Sequence, residues 1–240
     1  MRLAIIQPRA VYDDPAATIA VTLEHWRAAS ALGARLILFP EAWLLGHAYD
    51  APVIHARAAS MPPLLERLCD ASRALPATAI VGAFEAIDGW IFNNALIIEA
   101  GRIKGRYAKS HPNEDGVTPG VAMPVFDGDG RRYAINICND ANHPATAARA
   151  VAAGADLLLY PLNNMLPATV AERWRSRSVD NLVDRARETG CWIASSDVTG
   201  EAGERVAFGC TMIVRPDGTI ATRVPEGEVG MAIHDLPLAS

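Results

Sequence analysis

Three polar residues, each placed where an apolar stretch ends, have the side chains needed to attack a carbon–nitrogen bond. The strand-like segment 35–40 leads into Glu41, segment 106–108 leads into Lys109, and segment 133–137 leads into Cys138. In open α/β sheets, ligands bind at the carboxyl ends of strands, so a carboxylate, an ammonium and a thiol delivered there can meet in one pocket. The three residues therefore predict one site assembled from distant parts of the chain.

A cysteine nucleophile needs a base, because a thiol with its ordinary pKa of about 8.5 is only a few per cent thiolate at neutral pH. Glu41 is the predicted base and Lys109 the predicted positive charge. An ordinary glutamate pKa of about 4.3 lies roughly 4 units below that of the thiol, a mismatch of about 5.7 kcal/mol. Burial and coupling among the three groups must therefore adjust their pKa values.

The same groups could complete a hydrolysis. Attack on an amide or nitrile carbon places negative charge on its oxygen or nitrogen, where Lys109 and a backbone N–H, that of Asn139, would stabilise it. Glu41 would then protonate the leaving nitrogen and activate water. Lys109 is distinctive because Lys104 is the only other lysine among 22 basic residues, which favours a role that needs a compact ammonium rather than a guanidinium.

The elements that must position these residues alternate along the whole chain. Turn and capping signals predict a helix opened by Asp14 and Pro15, a second helix over 60–75 capped by Ser60, a hairpin around Gly101, and a long helix over 168–189. Each half of the chain has helices for only one face of its sheet. We therefore predict an α/β fold in which two mixed sheets stack as a four-layer α-β-β-α sandwich.

Composition narrows the class of protein and its partners. The 240 residues are 50% hydrophobic and show no linker, so we predict a single domain over 1–240. A net charge of -5 with scattered arginines argues against a nucleic-acid partner and favours a small molecule. The chain has no apolar run of about 20 residues, which predicts no membrane span and a cytoplasmic location. Its four cysteines lack zinc-ligand or disulfide spacing.

The motifs resemble those of the nitrilase, or carbon–nitrogen hydrolase, superfamily, whose catalytic set is a Glu-Lys-Cys triad. The matching stretches are Phe39-Pro40-Glu41, Tyr107-Ala108-Lys109-Ser110-His111-Pro112 and Ile137-Cys138-Asn139-Asp140, supported by Asn94-Ala95, 154–158 and 185–190. The resemblance covers the whole chain in the family's order. It implies the α-β-β-α sandwich, homodimers or larger assemblies, no metal or organic cofactor, and a positioning role for Glu114.

The resemblance identifies the residues that would bind the substrate less clearly than it identifies the triad. The aromatic residue and the arginine that usually follow the nucleophile are replaced by segment 139–144, and Gly46-His47 stands where Gly-Tyr is common. No arginine for a substrate carboxylate is therefore identified. The predicted oxyanion or substrate contacts are Asn139, Trp43, His143 and Asn163, although Trp43 could equally cover the core and Asn163 could simply form a turn.

The resulting hypothesis is a cofactor-independent hydrolase of a small amide or N-carbamoyl compound. It would act through a thioester on Cys138 and release ammonia or an amine. The same triad could instead hydrolyse a nitrile. A catalytically idle binding subunit or a thiol redox sensor could also be built on this fold. A protease-like set of Cys138, His143 and Asp140 is disfavoured, because His143 lies only five positions from Cys138.

Overall fold

Two mixed sheets and four α-helices account for most of the described chain. The computed structural model describes residues 1–237, so the last three residues of the predicted domain lie outside the described part. The elements are β1 (Arg2–Gln7), α1 (Pro15–Ala31), β2 (Leu36–Leu38), α2 (Ala51–Ser72), β3 (Thr78–Ile87), β4 (Trp90–Glu99), β5 (Arg102–Ala108), β6 (Val125–Gly128), β7 (Arg131–Ile135), α3 (Pro144–Ala152), β8 (Leu157–Pro161), β9 (Leu166–Pro167), α4 (Ala168–Thr189), β10 (Trp192–Ser196), β11 (Gly200–Ala202), β12 (Arg205–Ala207), β13 (Met212–Val214), β14 (Ile220–Arg223) and β15 (Gly230–Asp235).

The two large sheets have similar strand orders. The first sheet runs β15-β1-β2-β3-β4-β5 and the second runs β14-β13-β10-β8-β7-β6. The parallel strands β1, β2 and β3 lie near the centre of the first sheet, and β7, β8 and β10 are parallel in the second. Antiparallel strands complete both sheets, as predicted for mixed sheets. A small sheet, β11-β12-β9, was not predicted.

The sheets stack face to face, and helices cover their outer faces. Apolar side chains from both sheets form one buried cluster between them, including Ile5, Leu38, Ile135 and Leu159. A second cluster joins the first sheet to α1 and α2, and a third joins the second sheet to α3 and α4. Burial of these three apolar layers is the main favourable contribution to folding. The predicted four-layer α-β-β-α sandwich is confirmed.

The first helix begins where the sequence predicts. The Asp14 side chain accepts a hydrogen bond from the backbone N–H of Ala17 at 2.9 Å, and Pro15 occupies the first turn. The carboxylate thus satisfies one of the backbone donors that a helix start leaves free. The predicted hairpin around Gly101 and the long helix over 168–189 are also present. No helix between residues 1 and 237 is long and apolar enough to cross a membrane.

The prediction for the second helix was wrong at its start. Helix α2 begins at Ala51, where Asp50 accepts a hydrogen bond from the N–H of Val53, and Ser60 lies inside the helix. Pro62 and Pro63 are therefore internal rather than in the first turn, and both are exposed. A proline removes one helical hydrogen bond, and here both proline side chains are on the exposed side of the helix. The buried face of α2, which packs on the sheet, keeps the helix continuous.

Candidate active site

The predicted triad residues lie at strand ends where the two sheets approach each other. Glu41 follows β2 of the first sheet, Lys109 follows β5, and Cys138 begins a 3₁₀ turn after β7 of the second sheet. The loop of Glu41 is tied to the second sheet, because the N–H of Glu41 donates to Leu162 O at 3.1 Å and Asn163 Nδ2 donates to Glu41 O at 3.1 Å. Strand ends of both sheets thus form one site.

The ammonium of Lys109 binds two carboxylates. Its Nζ donates to Oε1 of Glu41 and to Oε1 of Glu114, both at 2.7 Å, and to Oδ1 of Asn113 at 3.2 Å. A lysine has three N–H donors, so this set uses all of them. The Lys109 side chain is 1% exposed, and both carboxylates are equally buried. The structure therefore brings Glu114 next to Lys109, as the resemblance implied.

The charges in this cluster determine each other's protonation. Burial lowers the pKa of Lys109, but the carboxylates of Glu41 and Glu114 raise that pKa by more, so the ammonium stays charged. Burial raises the pKa of Glu114, but hydrogen bonds and charge from His47 and Lys109 hold that pKa well below its usual range. The lowered pKa favours the ionised form of Glu114, whose carboxylate holds the ammonium beside Glu41.

Three residues of this cluster, Asn93, His47 and Asn113, were not among the predicted site residues. Asn93 Nδ2 lies between the carboxylates, 2.8 Å from Glu41 Oε1 and 2.9 Å from Glu114 Oε1. His47 Nε2 lies 2.9 Å from Glu114 Oε1. Strand alternation could have pointed to a site residue in this pair. Neighbouring residues on β4 face opposite sides of the sheet, so only one of Asn93 and Asn94 can reach the site. Asn94 instead donates to Glu85 at 2.7 Å.

The nucleophile sits in a constrained turn. Cys138 has a positive φ of 41°, which is rare for a residue with a side chain. Asp140 holds this turn, since its carboxylate accepts hydrogen bonds from the N–H of Ile137, the N–H of His111 and the hydroxyl of Tyr107, each at 2.8 Å. The turn places the half-buried Cys138 side chain at the edge of the inter-sheet core.

The surroundings of Cys138 favour the protonated form of its thiol. Burial raises its pKa well above the usual value, and the neighbouring Glu41 charge raises it further. The ammonium of Lys109 and the backbone N–H of Asn163 lower that pKa by less. Attack by the sulfur therefore requires a base that accepts the thiol proton.

Glu41 has one oxygen available for that proton. Its Oε1 accepts hydrogen bonds from Asn93 and Lys109, whereas its buried Oε2 has no hydrogen-bond partner among residues 1–237. A buried polar atom without a partner is uncommon in proteins and is often found at functional sites. This arrangement anchors the carboxylate through one oxygen and leaves the other for proton transfer.

The four predicted substrate contacts have different surroundings. Asn163 is buried beside Glu41, and its Oδ1 has no partner within the described chain. The side chain of Asn139 donates to His111 O at 2.9 Å and so supports the nucleophile turn. His143 stacks on His111 with ring centroids 3.7 Å apart, and His111 in turn contacts Thr146. In these contacts the partner of each imidazole is a residue other than Cys138.

The structure corrects the expectation for Trp43. Its side chain is 1% exposed and belongs to the apolar cluster between the first sheet and the outer helices. The indole N–H donates to Thr22 Oγ1 of α1 at 2.7 Å. A buried indole needs such a partner, and finding it on the outer helix directs Trp43 away from the triad. Trp43 is therefore a core residue.

A group of possible metal ligands coincides with the triad. One ligand atom from each of Glu41, His47 and Glu114 lies within 4.8 Å of the others. The ammonium of Lys109 already donates to both carboxylates at 2.7 Å. Lys109 thus supplies the positive charge that a cation would otherwise provide at this position.

Comparisons with known proteins show which sequences and folds this chain resembles. Solved structures of an amidase from Nesterenkonia sp. AN1 superpose with a TM-score of 0.86 at 25% identity, over 99% of this chain and 90% of theirs. One of them holds butyramide, and another carries the acetamide moiety of fluoroacetamide on the active-site cysteine. A glutamine-dependent NAD(+) synthetase of Rhodobacter capsulatus is 27% identical over 98% of this chain.

The chain spans different shares of the lengths of its relatives. The chain spans 43% of the Rhodobacter protein, and it spans 66% of the human deaminated glutathione amidase, which is 27% identical over 84% of this chain. The family model for carbon-nitrogen hydrolases, in contrast, matches residues 2–240, which include every residue of the cluster around Lys109. Its extent and the sandwich fold lead to one conclusion: the chain belongs to the carbon–nitrogen hydrolase family.

Proposed function

We propose that the protein hydrolyses the carbon–nitrogen bond of a small linear amide through a thioester on Cys138. One observation carries the proposal. Glu41 Oε2 has no other hydrogen-bond partner among residues 1–237, and the Glu41 carboxylate is close enough to Cys138 to raise the pKa of its thiol. Lys109 Nζ donates to the other oxygen, Glu41 Oε1, at 2.7 Å. A base, a nucleophile and a positive charge are the groups that acyl transfer requires.

In the first step, the sulfur of Cys138 attacks the carbonyl carbon while the thiol proton moves to Glu41 Oε2. Negative charge then develops on the carbonyl oxygen. Of the three hydrogen bonds that Lys109 donates, the one to Asn113 is the longest at 3.2 Å. We expect this bond to be exchanged for one to the oxyanion, with a backbone N–H, that of Asn139, as the second donor.

In the second step, the protonated Glu41 gives its proton to the leaving nitrogen, so ammonia departs and a thioester remains. Glu41 then takes a proton from water, which attacks the thioester carbon. Collapse of that intermediate returns the proton to sulfur and releases a carboxylic acid. One carboxylate serves as acid and base in both halves, and Glu114 keeps Lys109 in place throughout.

An amide is favoured over a nitrile by the solved neighbours. The Nesterenkonia protein is an amidase that has been captured with butyramide and with an acetamide moiety on its cysteine. An N-carbamoyl compound would fit the same steps. The relatives also include a protein named nitrilase 1 from Arabidopsis thaliana, 25% identical over 82% of this chain. Nitrile hydrolysis is therefore the competing reaction that the experiment must separate.

The direct test measures ammonia release from three kinds of substrate: short amides such as butyramide, N-carbamoylglycine, and short nitriles such as butyronitrile. We expect ammonia from at least one amide or N-carbamoyl compound, and none from the Cys138→Ala variant. Ammonia from nitriles alone would replace the proposal with nitrile hydrolysis. Release that persists in Cys138→Ala would refute the nucleophile.

A further inference from the structure

A fully buried carboxylate, that of Asp197, directly follows β10 and was not among the predicted site residues. Its Oδ1 accepts hydrogen bonds from the N–H of Asn164 at 3.0 Å and from the N–H of Val198 at 2.9 Å. Its Oδ2 accepts from Asn164 Nδ2 at 2.7 Å and from the N–H of Cys210 at 3.0 Å. An ionised carboxylate can accept about four hydrogen bonds, so these donors use its full capacity.

The ionised form of Asp197 is unfavourable at this buried position. Burial raises the pKa of its carboxyl to about 6, although the N–H donors of Asn164, Val198 and Cys210 oppose that rise. An uncharged side chain would avoid the desolvation of a carboxylate. The donors belong to the strand end itself, to the segment before β13 and to the loop after β8. The loop after β8 leads directly to the triad, which suggests what the carboxylate is for.

One peptide unit of this loop lies between the base and the nucleophile. The carbonyl of Leu162 accepts from the N–H of Glu41 at 3.1 Å, and the side chain of Asn163 donates to Glu41 O at 3.1 Å. Leu162 and Asn163 are joined by a trans peptide bond, in which the C=O and the N–H point in opposite directions. The N–H of Asn163 therefore points away from the N–H of Glu41. It lies close enough to Cys138 to lower the pKa of the thiol.

We propose that Asp197 is a positioning residue that keeps the N–H of Asn163 directed at the sulfur of Cys138. It acts through Asn164, which it binds by both the backbone and the side chain. When the thiol loses its proton, negative charge develops on the sulfur, and the N–H of Asn163 stabilises that charge. The inference rests on the proposed function for the identity of the nucleophile, and it adds a residue that controls the reactivity of that nucleophile.

The test measures the reaction of Cys138 with methyl methanethiosulfonate, which forms a mixed disulfide with the sulfur and releases methanesulfinate. Mass spectrometry follows the reaction at Cys138. At each pH below the thiol pKa, Asp197→Ala should react about threefold or more slowly than wild type, because loss of the N–H contact leaves less thiolate. Local unfolding would have the opposite effect, since a more exposed thiol reacts faster. The kcat/KM for the amide should fall together with the thiol reactivity.

Asp197→Asn is the conservative variant. Its Oδ1 can still accept from the N–H groups of Asn164 and Val198, and its amide can pair with the Asn164 side chain once that amide turns over. The acceptor for the N–H of Cys210 is then lost, but the loop after β8 stays bound. Modification of Cys138 should therefore return most of the way to the wild-type rate.

Ser195→Ala is the matched control, because Ser195 is also fully buried and lies on the same strand. Its Oγ donates to Cys210 O at 2.6 Å and accepts from the N–H of Met212 at 3.1 Å. The substitution removes these buried hydrogen bonds and leaves both anchors of Asn164 in place. It should lower stability without slowing the modification of Cys138.

Asn164→Ala carries the test if Asp197→Ala does not fold, because Asn164 is only partly buried. It removes one of the two hydrogen bonds to Asp197 and should also slow the modification of Cys138. Unchanged or faster modification in the folded Asp197 variant, or in Asn164→Ala where the former does not fold, would overturn the inference. Equal slowing in Ser195→Ala would overturn it as well.

These measurements are independent of the test of the proposed function. The thiosulfonate reacts without any amide substrate, so the rates at Cys138 decide the role of Asp197. Failure of every amide and N-carbamoyl compound to release ammonia would refute the proposed hydrolysis and would leave those rates unchanged.

Discussion

The ammonium of Lys109 donates from one nitrogen to oxygens of three different side chains, two of them carboxylates. A compact tetrahedral donor can do this in a site where it is 1% exposed, whereas a planar guanidinium directs its donors into one plane. This geometry explains why lysine stands here in a chain whose other basic residues, apart from Lys104, are all arginines. The sequence predicted the residue for that reason, but not the Asn93 and His47 contacts that complete its surroundings.

At the residue scale, Glu41→Gln should change turnover and thiol reactivity in opposite directions. Loss of the base should lower amide turnover by about 10²–10⁴-fold. Loss of the negative charge should lower the pKa of the Cys138 thiol, because the Glu41 charge raises that pKa in the native site. Alkylation of Cys138 by iodoacetamide should therefore reach half its maximal rate at a lower pH than in wild type, as followed by mass spectrometry.

The control for this experiment is Glu66→Gln, which changes an exposed carboxylate on α2 and should leave both readouts unchanged. Slower alkylation of Cys138 in Glu41→Gln across the pH range would contradict the assigned electrostatics. It would mean that the carboxylate promotes thiolate formation in the resting site.

At the scale of elements, short connections between strands and helices place the reactive atoms. The turn after β7 holds Cys138 with a positive φ, and Asp140 closes it with three hydrogen bonds. The loop after β2 also contains positive φ values, at Ala42 directly after Glu41 and at Leu45. Strained backbone at such positions persists because the surroundings stabilise it.

Asp140→Ala should lower both stability and activity. The substitution leaves the buried N–H of Ile137, the partly buried N–H of His111 and the Tyr107 hydroxyl without their acceptor, which we expect to cost roughly 3 kcal/mol in the free energy of unfolding. Urea unfolding monitored by circular dichroism measures this change. Asp180→Ala, at an exposed site on α4, should stay within about 0.5 kcal/mol of wild type. Wild-type stability and turnover in Asp140→Ala would contradict its role in the turn.

Gly82→Ala should displace the loop that carries Glu41. A Cβ at this position would lie 2.4 Å from both Ala42 N and Pro40 O, which are backbone atoms that flank the carboxylate residue. A shift of about 1 Å at a catalytic group costs on the order of 10²-fold in rate, so kcat/KM should fall by about that factor. Gly230→Ala is the control, because its Cβ would meet only Val224 Cγ1 at 3.4 Å. Full activity in Gly82→Ala would refute this close approach.

Local patterns predicted most elements but not every boundary. The cap at Asp14 and the turn at Gly101 depend on neighbouring residues alone, so they could be read directly. The start of α2 was missed because paired prolines are typical of a first turn, while packing on the sheet carries the helix past them. The small sheet β11-β12-β9 was missed because strands of two or three residues have too little periodicity to recognise.

At the scale of the whole molecule, sheet stacking assembles the site. Glu41 and Lys109 come from the first sheet and Cys138 and Asn163 from the second, so the buried layer between the sheets fixes their relative positions. The order of motifs was enough to predict this stacking. The order of motifs did not predict the direction of individual side chains. Trp43 is an example, because the side chain of a buried loop residue can point to the apolar layer on either side of the sheet.

The family resemblance also gives a prediction at this scale. We expect the protein to form a homodimer or a larger assembly in solution. Size-exclusion chromatography with light scattering should then give a mass at least twice the 25.6 kDa of one chain. A monomeric mass across a range of protein concentrations would contradict this expectation without affecting the triad.

The proposed thioester on Cys138 is tested most directly by letting hydroxylamine compete with water for the acyl-enzyme formed from two different substrates. Butyramide and butyryl hydrazide differ in leaving group but would give the same butyryl-enzyme. We predict that wild type converts both into butyrohydroxamate and butyrate in the same ratio at each hydroxylamine concentration, and that Cys138→Ala forms neither product. Ratios that differ between the two substrates, or butyrate formed with no hydroxamate, would contradict a common acyl-enzyme.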